Sequence, residues 1–171
     1  MTHEVNGPQL PQVAQPQVPQ VQAPQAQVPQ VAPDNRPVVA EGLQMKHRNP
    51  IAAWIGLPLI TLGIYHLVWY YKIHAEMAMY DRRRVVPVAG PMLVLLFLSW
   101  TVVAPLVSYY GAGKRIAATQ RAAGMPVTCS PGLGVLLMVL FATGIIYYQA
   151  ELNKVVAANS VEAGTRVPLY A

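Results

Sequence analysis

Three long stretches of this chain, Asn49 to Tyr71, Val85 to Gly113 and Ala122 to Ala150, contain no Asp, Glu, Lys or Arg. Each ends on or near a tyrosine pair, Tyr70-Tyr71, Tyr109-Tyr110 or Tyr147-Tyr148. Apolar surface of that length must be packed away or face lipid. Tyr and Trp have an apolar body and a polar handle, which suits the boundary where lipid meets water. The three pairs, with Trp54 and Trp69, are therefore expected to sit at a membrane interface.

With 54% hydrophobic and 11% charged residues, the chain is more apolar than an ordinary soluble domain. A helix crosses the hydrocarbon layer with about 20 apolar residues. Residues 51–71, 89–110 and 130–148 each come close to that length. Continuous runs also differ from the short alternating stretches of membrane strands. The expected fold is an all-α membrane protein with about three transmembrane helices. Its expected parts are a disordered tail over 1–45, a helical membrane domain over 46–157 and a short C-terminal tail over 158–171. The polar first 45 residues lack the pattern of a cleavable signal peptide.

Residues 8–33 consist of Pro, Gln, Val, Ala and one Leu, with a Pro-Gln step recurring six times. Such a segment has too little large apolar surface to offset the entropy of ordering, so it is read as a solvated spacer or a repeated docking ligand. Lys46 and Arg48 precede the first run, Lys72 follows it, and Arg82, Arg83 and Arg84 precede the second. These residues are expected to fix orientation and touch lipid headgroups, and the net charge of +5 is read as serving the membrane and not nucleic acid. Three full crossings place six basic residues on each side, which gives no positive-inside bias. If the first segment is instead a re-entrant hairpin, nine fall on one side and three on the other. Three crossings are expected because 21 residues suit one span and proline is tolerated in membrane helices, with a kink near Pro58.

Few residues point to chemistry. His66 lies inside an apolar run and His74 follows eight residues later near the same helical face, so these two are the candidate functional side chains. Two histidines without a third ligand make a poor metal site, and the single Cys129 has no partner cysteine. Gly111-Ala-Gly-Lys114 has the outline of a phosphate loop but lacks the first glycine and the hydroxyl that would hold magnesium. No cofactor, metal or catalytic residue is assigned, and the chain is read as a non-enzyme.

The stretch from Lys46 through Pro50, Thr61-Leu-Gly-Ile-Tyr65, Val68-Trp-Tyr-Tyr-Lys72 and Gln149-Ala-Glu-Leu-Asn-Lys154 resembles a family of small multi-pass membrane proteins of actinobacteria and their phages. That family is known only as a domain of unknown function. The resemblance covers about residues 45–157, implies a membrane location and brings no catalytic residues. The expected function is that of a non-enzymatic protein of the bacterial inner membrane, multi-pass, acting through partners, with the Pro/Gln tail as tether or docking arm. Its expected partners are membrane lipids and a protein, such as a companion cytoplasmic protein or further copies of the chain. A second reading is a prophage-encoded component of phage exclusion or defence, and a third is a small oligomeric pore.

Overall fold

The computed structural model describes residues 36–171, so the Pro/Gln repeats lie outside the described residues. The order of elements is β1 (Val38–Leu43), a π-helical turn (Ala52–Gly56), α1 (Leu57–Ile60), α2 (Ile64–Tyr80), α3 (Ala89–Leu98), a 3-10 turn (Ser99–Thr101), α4 (Val103–Ala122), α5 (Pro131–Phe141), α6 (Gly144–Asn159) and β2 (Arg166–Tyr170). The expectation of about three transmembrane helices is overturned. Among the described residues no helix is long and apolar enough to cross a membrane.

Each charge-free run instead folds back on itself as a hairpin with a short first arm and a longer second arm. The reversals fall at Leu62-Gly63, at Val102 and at Ala142, where φ is +50°, +87°, +61° and +51° in that order. Only Gly63 takes such a conformation without steric cost, so the other three carry local strain that their surroundings must hold. A threonine lies at each reversal. Thr61 Oγ1 donates to the Leu57 carbonyl and accepts from Tyr65 N, both at 2.9 Å. Thr101 Oγ1 donates to the Leu98 carbonyl at 2.8 Å and accepts from Ala104 N at 3.3 Å. Thr143 Oγ1 donates to the Leu137 carbonyl at 3.4 Å. The Leu57 and Leu137 carbonyls also accept from Thr61 N and Thr143 N, so the hydroxyls chiefly serve Tyr65 N, Ala104 N and the Leu98 carbonyl, groups that a break in the helix leaves in need of a partner.

The hairpins begin at recognisable local signals. Asn49 Oδ1 accepts from Ile51 N and Ala52 N ahead of the first arm, and Ser130 caps α5, whose first residue is Pro131. Leu57 N closes the π-helical turn on the Ala52 carbonyl, and Pro58 follows as the second residue of α1. The second arms run on past the charge-free stretches. Lys72–Tyr80 extends α2, and Gly111–Ala122 extends α4 with Lys114, Arg115 and Arg121 in it.

The three hairpins pack with their tips at one end. Trp54 Nε1 donates to the Ala142 carbonyl at 2.7 Å, joining the first hairpin to the tip of the third. One tyrosine of each pair, Tyr70, Tyr109 and Tyr148, turns into a shared core, with ring centroids 5.3 Å and 6.4 Å apart in sequence. Buried polar groups in this core are paired: Trp69 Nε1 donates to Gln149 Oε1 at 2.7 Å, and the Tyr148 hydroxyl donates to the Tyr109 carbonyl at 2.9 Å.

At the other end, β1 and β2 form a two-stranded antiparallel sheet with Glu41 opposite Pro168. An isolated pair of strands is marginal in water, so this one depends on the helices beneath it. Val167 and Leu169 are buried, and β1 approaches the end of α2 so closely that a Cβ at Gly42 would collide with the Tyr80 carbonyl. Residues 38–43 and 166–170, assigned by sequence to the two tails, thus form part of the folded base.

Candidate functional site

Two surfaces stand out, an apolar rim made by the tips and a charged base. At the rim, Leu62 is 93% exposed, Trp100 82% and Phe141 65%, each flanked by further exposed aliphatic residues. A monomeric soluble protein rarely exposes contiguous apolar surface beyond a few hundred Å². At 1.5 Å per residue, the ten residues of α3 and eleven of α5 extend about 15 Å, half the thickness of a hydrocarbon layer of about 30 Å.

Every Lys and Arg lies away from the rim. The nearest along a helix is Lys72, nine residues beyond Gly63, about 14 Å up the axis of α2. The outward members of the tyrosine pairs lie just below this level, with Tyr71 and Tyr110 exposed and Tyr147 half-buried. Lys114 sits over the Tyr110 ring, 4.9 Å from its centroid. Trp69 is buried and Trp54 half-buried, so the eight aromatic residues expected at an interface divide between core and surface.

Apart from Lys72, midway along α2, the basic residues singled out by sequence surround the base. Arg48 makes a two-pronged ion pair with Glu76, with Nη1 to Oε2 at 2.8 Å, and Lys46 N also donates to Glu76. This pairing raises the Arg48 pKa, outweighing the effect of its burial. Arg83 and Arg84 hold Asp81 at 2.8 Å and 3.3 Å. Burial opposes ionisation of Asp81, but the hydrogen bonds and charges of these arginines prevail and lower its pKa. Arg82 faces β1 and Arg166 across a shallow cleft. Glu151 is buried against Gln120, Thr128 and Lys154, and these hydrogen bonds keep its pKa low despite the cost of burial. Cys129 is buried, and desolvation pushes its thiol up to about 12.

The two histidines do not come together as ligands. His66 is hydrogen-bonded through Nε2 to the Tyr109 hydroxyl. His74 is fully buried, its Nδ1 2.8 Å from the Tyr70 carbonyl and its Nε2 3.0 Å from Arg115 Nη1. Burial first, then the Arg115 charge, lower its pKa to about 4 against the pull of the backbone bond, so it is neutral, donating from Nδ1 and accepting at Nε2. Among the described residues no three His, Cys, Asp or Glu side chains could hold a metal ion.

Sequence reasoning missed the three threonines and Arg115. Thr61, Thr101 and Thr143 mark the reversals, but Ser99, Ser108, Thr128 and Ser130 lie in the same runs, so a hydroxyl alone does not locate a reversal. By sequence Arg115 counts only among the basic residues of a polar connection over 111–131, whereas in α4 it reaches His74.

The fold is a bundle of three helical hairpins, apolar at the tips and closed by a small sheet at the base. Residues 49–118 match the model of a family described as a domain of unknown function, DUF4234. The match spans the first two hairpins as far as Ala118 in α4, while the third hairpin, the sheet and Gln149–Lys154 lie outside it. No curated protein and no solved structure matches the chain.

Proposed function

We propose that the protein is a non-enzymatic membrane module that dips its three hairpin tips into one leaflet and presents its charged base to a protein partner. The observation that carries this reading is the rim: three charge-free tips at one end, on arms about half a bilayer deep. The satisfied backbone at each reversal supports it, because unpaired polar groups inside lipid cost several kcal/mol each. Charge supports it too. With every run returning, all twelve Lys and Arg fall on one side, the bias expected of the cytoplasmic face of a bacterial inner membrane. Because β1 belongs to the base, the Pro/Gln tail joins the protein on that same side, where it serves as tether or docking arm for a cytoplasmic partner. A pore finds less support, since no described helix is long and apolar enough to line one across a bilayer.

Single-cysteine labelling tests the topology. In a Cys129→Ser background, cysteines are placed one at a time at Gln20, at the exposed Val85 and at the exposed Glu162. One-leaflet insertion from the cytoplasm predicts that a membrane-impermeant maleimide reaches all three only after lysis. Labelling of the Val85 position in intact cells, with Gln20 protected, would mean that the first hairpin crosses and would overturn the proposal.

A further inference from the structure

The half-buried guanidinium of Arg115 makes no ion pair among the described residues. Among the described residues its one hydrogen bond is to neutral His74 at 3.0 Å, which leaves four of its five N–H donors without a protein acceptor. It lines a cleft of about 380 Å³ between α2, the segment following it and α4. Lys114 and Arg84 add two further cations, while Met77, Val85 and Val86 give the cleft an apolar wall. The single carboxylate in its lining, Asp81, is already bound by Arg83 and Arg84. The cleft therefore keeps a positive surplus beside apolar surface, and His74 holds one edge of the Arg115 fork in a fixed orientation.

Height adds a second constraint. Arg115 lies thirteen residues beyond Val102, about 20 Å along α4 from the tip, which is some 5 Å above a half-layer of hydrocarbon about 15 Å thick. Phosphates of a lipid headgroup lie in that zone. We propose that the cleft between α2 and α4 binds the phosphate of an anionic phospholipid, with Arg115 and Lys114 on its oxygens and Val85 and Val86 lining the cleft beside it. A planar fork with several free donors suits a phosphate ester better than a lone ammonium does. The inference rests on the one-leaflet reading, and a free phosphate would satisfy the same donors.

The test uses the full chain and three probes. Flotation with neutral phosphatidylcholine vesicles reads tip insertion alone. Native mass spectrometry of protein released from vesicles of phosphatidylcholine and phosphatidylglycerol reads headgroup preference. Calorimetry with inorganic phosphate reads the soluble alternative. The expected result is flotation on neutral vesicles and preferential retention of phosphatidylglycerol. Lys114→Gln/Arg115→Gln should reduce that preference by on the order of tenfold without changing flotation. Arg82→Gln/Arg121→Gln removes equal charge from exposed positions and should leave it intact. Lys114→Gln alone, at an exposed residue, should lower the preference even if the double variant folds poorly. Unchanged retention in the Lys114 and Arg115 variants would overturn the site. Phosphate binding that depends on Arg115, without any lipid preference, would overturn the lipid source. Failure to float, with that phosphate binding intact, would overturn the one-leaflet reading and leave a soluble-phosphate cleft.

Discussion

Trp54 donates from its indole nitrogen to the carbonyl of Ala142, at 2.7 Å across 88 residues of chain. Ala142 is the positive-φ residue that reverses the third hairpin, so the first hairpin braces the tip of the third. Trp54→Phe keeps most of the ring's packing but removes the donor. We expect a loss of about 1–2 kcal/mol, read as a lower unfolding midpoint, because a backbone acceptor loses its partner. An unchanged midpoint would mean that the tip is held without this brace.

The His74 ring gives stability a pH dependence of known sign. Its folded pKa of about 4 lies below the ordinary value of 6.5, so between those values the unfolded chain binds the proton more readily. Its contribution is complete above about pH 6.5 and is lost as pH falls toward 4, by about 3 kcal/mol in all. Unfolding midpoints measured from pH 7 down to pH 4.5 should fall steeply in the wild type. His74→Gln should flatten that part of the curve, and an equally steep fall in the variant would assign it to other groups.

Charges placed on the rim should weaken membrane binding without harming the fold. Leu62 and Trp100 are almost fully exposed, so Leu62→Arg and Trp100→Arg remove little packing. A charge that must enter hydrocarbon costs roughly 2.5–3.5 kcal/mol on an insertion scale, corresponding to vesicle partitioning reduced by about a hundredfold. Co-sedimentation of the variants at the wild-type level would contradict insertion of the tips.

Two glycines of α5 separate packing from helix propensity. A Cβ at Gly134 would run into the Tyr148 ring, whereas one at Gly132 meets nothing within 4 Å. Gly134→Ala should cost about 1–3 kcal/mol through overpacking. Gly132→Ala should stabilise by up to about 1 kcal/mol through the lower entropy of the unfolded chain. Thermal melts of both variants compare the effects on the same helix, and equal shifts would mean that Tyr148 yields to the added methyl.

Helix content was legible in the sequence because long apolar stretches without alternation exclude half-buried strands. The hairpins were not. Val38–Leu43 and Arg166–Tyr170 carry strand-like residues, but their pairing joins segments more than 120 residues apart, and nothing local specifies it. His74 is legible in the sequence only as a candidate functional side chain eight residues after His66; its complete burial is set by the packing of the helices. Its role as the acceptor that orients Arg115 depends on α2 and α4 lying side by side.

The sequence alone determined that three charge-free segments exist, that basic residues flank them, and that each ends in a tyrosine pair of which one ring can face inward. It could not determine whether a segment of about 20 residues crosses or returns. One helix about 30 Å long and two arms of about 15 Å bury comparable apolar surface and leave the same composition. Tertiary structure decided between them at Leu62, Val102 and Ala142. None of these residues favours positive φ by itself, and packing between hairpins, as in the Trp54–Ala142 bond and the Tyr70, Tyr109 and Tyr148 core, braces the bundle in which those reversals are held.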